Sequence, residues 1–206
     1  MTDKTLQIGV LVSGSGTNLQ AIIDSIESGS LNARIACVIS NKSGAFALER
    51  ARRHNIPAIF LGHQEFPDRS AYDAALVEQL RQHGVELVVL AGFMRIITTT
   101  LLDAFPTRVI NIHPALLPAF PGLHAQHQAV EHGVKISGCT VHFVDAGTDT
   151  GPIIVQAAVP VLDSDNEESL SARIQKEEHR IFPLAIRLIA EGRLKVEGRK
   201  VSVLPN

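Results

Sequence analysis

Apolar and polar positions follow two different periods along the chain, and stretches of one period alternate with stretches of the other. Short apolar or β-branched runs predict strands, because strand side chains alternate between the two faces of a sheet. Apolar residues that recur every three or four positions predict helices with one buried face. Strands are predicted in the first half over residues 6–12, 34–40, 58–61, 86–91 and 108–113. Helices are predicted between them over residues 17–28, 45–54 and 69–83.

This βαβ alternation predicts a Rossmann-like α/β fold, with a mostly parallel sheet flanked by helices. The pattern in the second half predicts a mixed C-terminal part of the same sheet. The length of the whole chain, 206 residues, leads us to expect one domain. Pro183 is expected to kink the last long helix. The elements predicted in this half are a short helix within 122–132, strands over 136–144 and 152–162, a helix over 167–191, and a hairpin over 194–203.

Composition narrows the classes of function. Hydrophobic residues make up 45% and charged residues 19% of the chain, as in an ordinary globular protein. A net charge of −2 indicates neither a nucleic-acid partner nor an anionic membrane. No apolar run is long enough to span a bilayer, and no secretory signal is evident. Cys37 and Cys139 stand in strand-like runs as small apolar residues, so we expect a reducing, cytoplasmic setting.

A short motif at the end of the strand over 108–113 is the strongest candidate for catalysis. Asn111 and His113 are two residues apart, so their side chains are expected on the same side of the strand. An amide and an imidazole together suit chemistry at a carbonyl group, where one donor holds an oxyanion and the other handles a proton. Asp149, on a tight connector downstream, is a candidate partner that favours the charged imidazole. The alternative is that these residues only close the strand and its turn.

The loop after the first strand is a candidate phosphate site. It reads SGSGTN over residues 13–18 and leads directly into a predicted helix, whose first amides favour an anion. Leu19 stands where the dinucleotide fingerprint requires a third glycine, which disfavours a nicotinamide or flavin dinucleotide. A purely structural β-to-α turn is the alternative.

Two further groups of residues have weaker signals. His124, His127 and His132 are spaced like metal ligands, but no cysteine joins them and a solvated helix face explains them, so no metal is expected. The segment GFMRII over residues 92–97 follows the predicted central strand and is apolar enough to line a flat aromatic ligand. Its alternative is a lead into a helix.

The chain resembles the folate-dependent formyltransferases that act on glycinamide ribonucleotide, and the resemblance extends over nearly all of it. Its departures are mild, with Thr17 in place of a serine and DAGT over 145–148. The motifs that carry the resemblance are SGSGTNLQ (13–20), LAGFMRI (90–96), NIHP (111–114), LLP (116–118), PGLH (121–124), VHFV (141–144) and DTGP (149–152).

The resemblance implies transfer of a formyl group from 10-formyltetrahydrofolate, as co-substrate, to the amine of glycinamide ribonucleotide in purine biosynthesis, without a metal. It implies a phosphate-binding half over 1–113 and a folate-binding, catalytic half over 114–206. The implied catalytic residues are Asn111, His113 and Asp149. The implied contacts to the ribonucleotide are Gly16, Thr17, Asn18, Gln175, Lys176, Glu177 and Glu178. The implied folate contacts are Arg69, Met94, Arg95, Ile96, Ile97, Asn111, Asp145, Ala146, Gly147, Thr148 and Asp149.

Three alternatives stay open beside this function. A tRNA-directed formyltransferase is expected to carry a further C-terminal domain and a basic surface, whereas this chain ends at Asn206 and is slightly acidic. A formyltetrahydrofolate hydrolase uses the same three polar residues with water as acceptor, and typically carries an N-terminal regulatory domain. A non-catalytic nucleotide- or folate-binding module is the third. We expect small-molecule substrates only, and a monomer or a homodimer.

Overall fold

The fold is described from a computed structural model, which covers residues 4–205. The chain forms two compact units that divide between Asn111 and Ile112. The expected single domain, and its division after residue 113, stay predictions.

The first unit alternates strands and helices as predicted, with boundaries within about two residues of the expected ones. Its elements are β1 (Leu6–Val12), α1 (Thr17–Glu27), β2 (Ala33–Ser40), α2 (Phe46–Arg53), β3 (Ala58–Phe60), α3 (Arg69–Gln82), β4 (Leu87–Leu90), α4 (Thr99–Ala104) and the first part of β5 (Val109–His113).

Five parallel strands of this unit lie in the order β3-β2-β1-β4-β5. The apolar strands β1 and β4 lie inside this order, and all four residues of β4 are buried, as expected for a strand covered on both faces. Because parallel strands end at one edge of a sheet, the segments that follow β1 and β4 share that edge. Ligands of open α/β sheets bind at this edge.

Two short helical elements were absent from the prediction. Residues 99–104 form α4, and His63–Glu65 form a single 3₁₀ turn. Neither segment has enough residues to show a helical period, which is why the hydrophobic pattern did not reveal them. Thr98 is the N-cap residue of α4.

The second unit begins with the last two residues of β5 and continues the strand order as β5-β6-β7. The strands β6 and β7 are antiparallel, which confirms a mostly parallel sheet with an antiparallel C-terminal part. Helix α6 runs continuously through Pro183 and starts with a capping box between Asn166 and Ser169. The elements are α5 (Ala125–Glu131), β6 (Ile136–Phe143), β7 (Ile153–Pro160), α6 (Glu167–Ala190), and the hairpin strands β8 (Leu194–Glu197) and β9 (Lys200–Val203).

Strands β6 and β7 approach each other closely at Gly138. A side-chain Cβ at this position would lie 2.0 Å from the carbonyl oxygen of Ala157 and 2.8 Å from Cδ2 of Leu116. The backbone oxygen has little room to move within a paired ladder, so only glycine fits. This contact fixes the part of β6 that leads to Thr140 and His142, both of which are buried.

Among the described residues, 4–205, no helix is both long and apolar enough to cross a membrane.

We predict that Gly138→Ala lowers the free energy of unfolding by about 1–3 kcal/mol, the usual cost of inserting a methyl group into a packed site. Ser137→Ala is the matched control, because Ser137 is buried on the same strand and its hydroxyl has no hydrogen-bond partner within residues 4–205. We expect the control to keep or raise stability. Denaturant unfolding of both variants makes the comparison, and equal stabilities would contradict the close approach at Gly138.

Candidate active site

The carboxylate of Asp149 is the centre of a polar cluster in the second unit. Its Oδ2 accepts a hydrogen bond from the backbone N–H of Gly122 at 2.8 Å and lies 3.3 Å from Nδ1 of His113. Its Oδ1 lies 3.6 Å from Nε2 of His142. The structure therefore brings Asp149 and His113 together, although they are far apart in the sequence.

The imidazole of His113 has an acceptor beside each of its two nitrogens. Its Nε2 donates to the carbonyl oxygen of Phe120 at 2.7 Å, and since a carbonyl only accepts, Nε2 carries a hydrogen. Its Nδ1 faces the Asp149 carboxylate. An imidazolium satisfies both acceptors at once, whereas a neutral ring leaves one lone pair facing an oxygen.

His142 is a member of the cluster that sequence analysis missed. Its side chain is 2% exposed, its Nδ1 donates to the carbonyl oxygen of Phe143 at 2.9 Å, and its Nε2 faces Asp149. The signal in the sequence was a single histidine within the apolar strand segment VHFV. A buried polar side chain requires a hydrogen-bond partner, so a histidine in an apolar strand predicts a polar group near His142.

The environment of Asp149 keeps its carboxyl group ionised. Burial acts to raise the pKa of Asp149, but the contact with His142, the N–H of Gly122 and the charge of His113 outweigh burial and hold the pKa below 3.8. A negative charge beside His113 is therefore present throughout the neutral pH range.

Two loops bring these groups together. In the segment after β5, the carbonyl oxygen of Phe120 accepts from His113, and the N–H of Gly122 donates to Asp149. The backbone of this segment therefore binds both members of the pair. In the loop after β6, the Asp145 carboxylate accepts from the N–H of Gly147 at 3.1 Å and from the hydroxyl of Thr150 at 2.6 Å. These bonds shape the turn that presents Asp149, which has a positive φ of 54°.

Asn111 lies on β5, two residues before His113, and pairs with Leu90 of β4. Alternation along the strand gives the two side chains the same side, as predicted.

The predicted phosphate loop lies at the carboxyl end of β1 in the first unit. Helix α1 begins without a side-chain cap, and its N-cap residue Gly16 has a positive φ of 73°. A Cβ at Gly16 would lie 2.6 Å from Cβ of Ala47 in α2, so this glycine is also required by packing. Arg50 of α2 donates to the carbonyl oxygen of Ser15 at 2.9 Å and so fixes the loop from outside.

The predicted folate segment follows β4 and shares the sheet edge with this loop. The backbone N–H of Met94 donates to Oγ of Ser13 at 2.9 Å, which joins the two segments directly. Met94 and Ile96 are 63% and 60% exposed, so this turn presents two apolar side chains at its surface. Arg69 is exposed at the first position of α3, and its role toward the folate stays a prediction.

The predicted contacts at residues 175–178 lie on α6 in the second unit. Gln175 and Lys176 are exposed, Glu177 is half-buried and pairs with Arg180, and Glu178 is buried. The role of these four residues toward a substrate stays a prediction.

A cleft of about 750 Å³ opens beside the phosphate loop within the first unit. Its walls include Ser13, Ser15, Asn41, Lys42, Phe46 and Phe60.

The described part of the chain, residues 4–205, contains no group of three or more histidine, cysteine, aspartate or glutamate side chains placed to hold a metal ion. His127 instead lies 3.8 Å from Glu167, and His132 hydrogen-bonds to the carbonyl oxygen of Gln128 at 2.9 Å.

An imidazole next to an ionised carboxylate, at the carboxyl end of a strand in a Rossmann-like sheet, is typical of α/β enzymes that carry out acid–base chemistry. The family model for formyl transferases matches residues 6–186. The chain therefore belongs to the formyl transferase family, as its motifs predicted.

Curated relatives and solved structures agree with this assignment. The chain is 46% identical to phosphoribosylglycinamide formyltransferase of Escherichia coli K12, over 93% of this chain and 90% of the relative. Over 92% of its own length, the chain is also 51% identical to the trifunctional purine biosynthetic protein adenosine-3 of Drosophila pseudoobscura. It spans only 14% of that longer relative.

Two solved structures are informative. The crystal structure of glycinamide ribonucleotide transformylase 1 from Symbiobacterium toebii has a TM-score of 0.98 at 58% identity, covering 100% of this chain and 96% of that chain. A formyltetrahydrofolate deformylase from Pseudomonas syringae has a TM-score of 0.91 at 30% identity, covering 98% of this chain and 67% of that one.

We predict that Asp149→Asn lowers the free energy of unfolding at neutral pH by about 1–3 kcal/mol, through loss of hydrogen bonds to a charged group. Since the folded-state pKa of Asp149 is lowered, its contribution is present above the unfolded-state value near 3.8 and is lost as pH falls through the folded-state value. The gap between wild type and variant should therefore shrink from about pH 5 downward. Denaturant unfolding across this range measures it.

Asp163→Asn is the control for this experiment. Asp163 also has a lowered pKa, through Lys135, but its side chain is 90% exposed. Salt should therefore abolish the effect of Asp163→Asn and leave most of the effect of Asp149→Asn. A gap for Asp149→Asn that widens in acid would contradict the lowered pKa.

Proposed function

We propose that this protein transfers the formyl group of 10-formyltetrahydrofolate to the amine of glycinamide ribonucleotide, giving formylglycinamide ribonucleotide and tetrahydrofolate in purine biosynthesis. The observation that carries the proposal is the contact between Asp149 and His113, in a chain that belongs to the formyl transferase family. The name of the E. coli relative, which matches along nearly its full length, supports the choice of acceptor.

The role assigned to each residue follows from the charges that form and the protons that move during formyl transfer. The amine attacks the formyl carbon, an oxyanion forms, and the carbon–nitrogen bond to tetrahydrofolate then breaks. We assign the oxyanion to the amide N–H of Asn111 and to His113. The attacking amine loses one proton and the leaving nitrogen gains one, so the reaction is balanced without a metal.

We assign the active proton of His113 to Nδ1. The 2.7 Å hydrogen bond to Phe120 commits Nε2, whereas Nδ1 has only the longer 3.3 Å contact with Asp149. The Asp149 carboxylate stabilises the imidazolium and orients a water that relays the proton. The finer assignments stay with this proposal: residues 16–18 and 175–178 for the ribonucleotide, and Arg69, residues 94–97, Asn111 and residues 145–149 for the folate. A cytoplasmic location and a monomer or homodimer also stay predictions.

Hydrolysis of 10-formyltetrahydrofolate is the second candidate, and the similarity to the Pseudomonas syringae deformylase favours it. The same imidazole and carboxylate would then act on water instead of an amine. One incubation with and without glycinamide ribonucleotide separates the two activities. We expect formylated product in equal amount to tetrahydrofolate, unaffected by a chelator. Rapid formate release that does not need the amine would establish the hydrolase.

We predict that His113→Ala and Asp149→Ala each lower kcat by roughly 10²- to 10⁴-fold, the usual scale for acid–base and oxyanion effects. Because Asp149 is assigned to act through His113, the double variant should lose little more than the worse single variant. Steady-state kinetics of the three variants provides the measurement. A double variant that loses the full product of the two single losses would show that the residues act independently.

We predict that Gly16→Ala raises the KM for glycinamide ribonucleotide by about tenfold or more and leaves the KM for 10-formyltetrahydrofolate nearly unchanged, because only a phosphate needs close backbone approach. The variant also loses stability through the contact with Ala47, so kinetics are measured well below its Tm.

Gly14→Ala is the matched control in the same loop. A Cβ at Gly14 has open space around it, and its φ is not in the left-handed region. This variant should keep both KM values and the stability of the wild type. An equal rise of both KM values in Gly16→Ala would mean that the loop is only structural.

A further inference from the structure

Helix α3 holds the exposed segment after β4 through a buried carboxylate. Asp73, which is 2% exposed, accepts hydrogen bonds on Oδ2 from the backbone N–H of Thr98 at 2.5 Å and from its hydroxyl at 2.8 Å. Both bonds end at Thr98, the residue that follows the segment presenting Met94 and Ile96. Burial raises the pKa of Asp73, while the two hydrogen bonds from Thr98 favour its ionised form, so the carboxylate and Thr98 depend on each other.

Two further contacts fix the same segment. The guanidinium of Arg95 lies 5.1 Å from the centre of the Tyr72 ring, and Tyr72 is 1% exposed. Burial raises the pKa of Tyr72 to about 12, so the ring is a neutral phenol beside the cation. At the start of the segment, Met94 is bound through its N–H to Ser13. The segment is therefore attached at Met94, at Arg95 and directly after its last residue, at Thr98.

The cost of this arrangement indicates a use beyond stability. Asp73 gives up hydration when it is buried, and two exposed apolar side chains on one turn are themselves unfavourable in water. If the segment served only to connect β4 to α4, the residues at Met94 and Ile96 would not need to be apolar or outward-facing. A rigid apolar surface at the carboxyl edge of a sheet is instead what a flat ring system requires.

We propose that Asp73 is a positioning residue for the folate co-substrate, which holds residues 94–97 in the conformation that receives its fused ring. The inference rests on the proposed function, because it takes the folate to bind at this segment. Asp73 itself touches no substrate. Its effect passes through Thr98 to the backbone of the segment.

The test compares Asp73→Ala with Asp73→Asn. Loss of both hydrogen bonds in Asp73→Ala should raise the KM for 10-formyltetrahydrofolate by about tenfold or more, with less than about threefold change in the KM for glycinamide ribonucleotide. The Asn side chain keeps an oxygen that accepts both bonds from Thr98, so Asp73→Asn should stay within about threefold of the wild type. Amide hydrogen exchange at residues 94–98 should accelerate in the Ala variant and not in the Asn variant.

Leu80→Ala is the stability control, because Leu80 is fully buried on the same helix and faces β1 near Gly9 rather than the segment. Leu80→Ala should lower the Tm and should change the KM for 10-formyltetrahydrofolate no more than the KM for glycinamide ribonucleotide. Equal KM changes for both substrates in Asp73→Ala, no change for the folate, or an Asn variant as impaired as the Ala variant would overturn the proposal.

Equilibrium binding of tetrahydrofolate separates this inference from the function on which it rests. Wild type that binds tetrahydrofolate, together with unchanged affinity in Asp73→Ala, would reject only the positioning role. Wild type without tetrahydrofolate binding or formyl transfer would reject the proposed function. The expected result is binding by wild type that weakens about tenfold or more in Asp73→Ala.

Discussion

The ionised carboxylate of Asp149 is the group around which the polar part of the second unit is arranged. Taking a charge out of water is costly, and the fold offsets this cost with a backbone N–H and two imidazoles. Each partner comes from a different stretch of chain: the segment after β5, the end of β5 and the strand β6. A change that removes the charge therefore removes an interaction that three different stretches of chain share.

The loop that carries Asp149 shows how local sequence meets this demand. Asp145 and Thr150 close the turn with a side-chain hydrogen bond, and Gly151 passes so near β6 that a Cβ there would lie 1.8 Å from the carbonyl oxygen of Phe143. The glycine of the DTGP motif is thus needed for close passage of the backbone, whereas the aspartate is needed for its charge. A motif that reads as one functional unit in the sequence combines two separate physical requirements.

The parts of the fold with a local signal were predictable, and the parts that depend on distant contacts were not. The apolar periods located every strand and every long helix, and alternation on β5 placed Asn111 and His113 on the same side. The pairing of His113 with Asp149 was only a hypothesis, because no local pattern measures a contact between distant residues. His142 was missed because a histidine within an apolar strand is usually part of the core. The packing of Gly16 against Ala47 was not predicted because it joins residues that are distant in the sequence.

The most direct test of the central claim is titration of the Asp149 carboxyl group by carbon-13 NMR, in wild type and in His142→Ala. In wild type the midpoint should lie below the ordinary value of 3.8, because the contacts with His142, His113 and the N–H of Gly122 stabilise the charge. In the variant, which lacks the contact with His142, the midpoint should move upward. A wild-type midpoint at or above 3.8, or one that is unchanged in His142→Ala, would contradict the account of Asp149 as a carboxylate held ionised between two imidazoles.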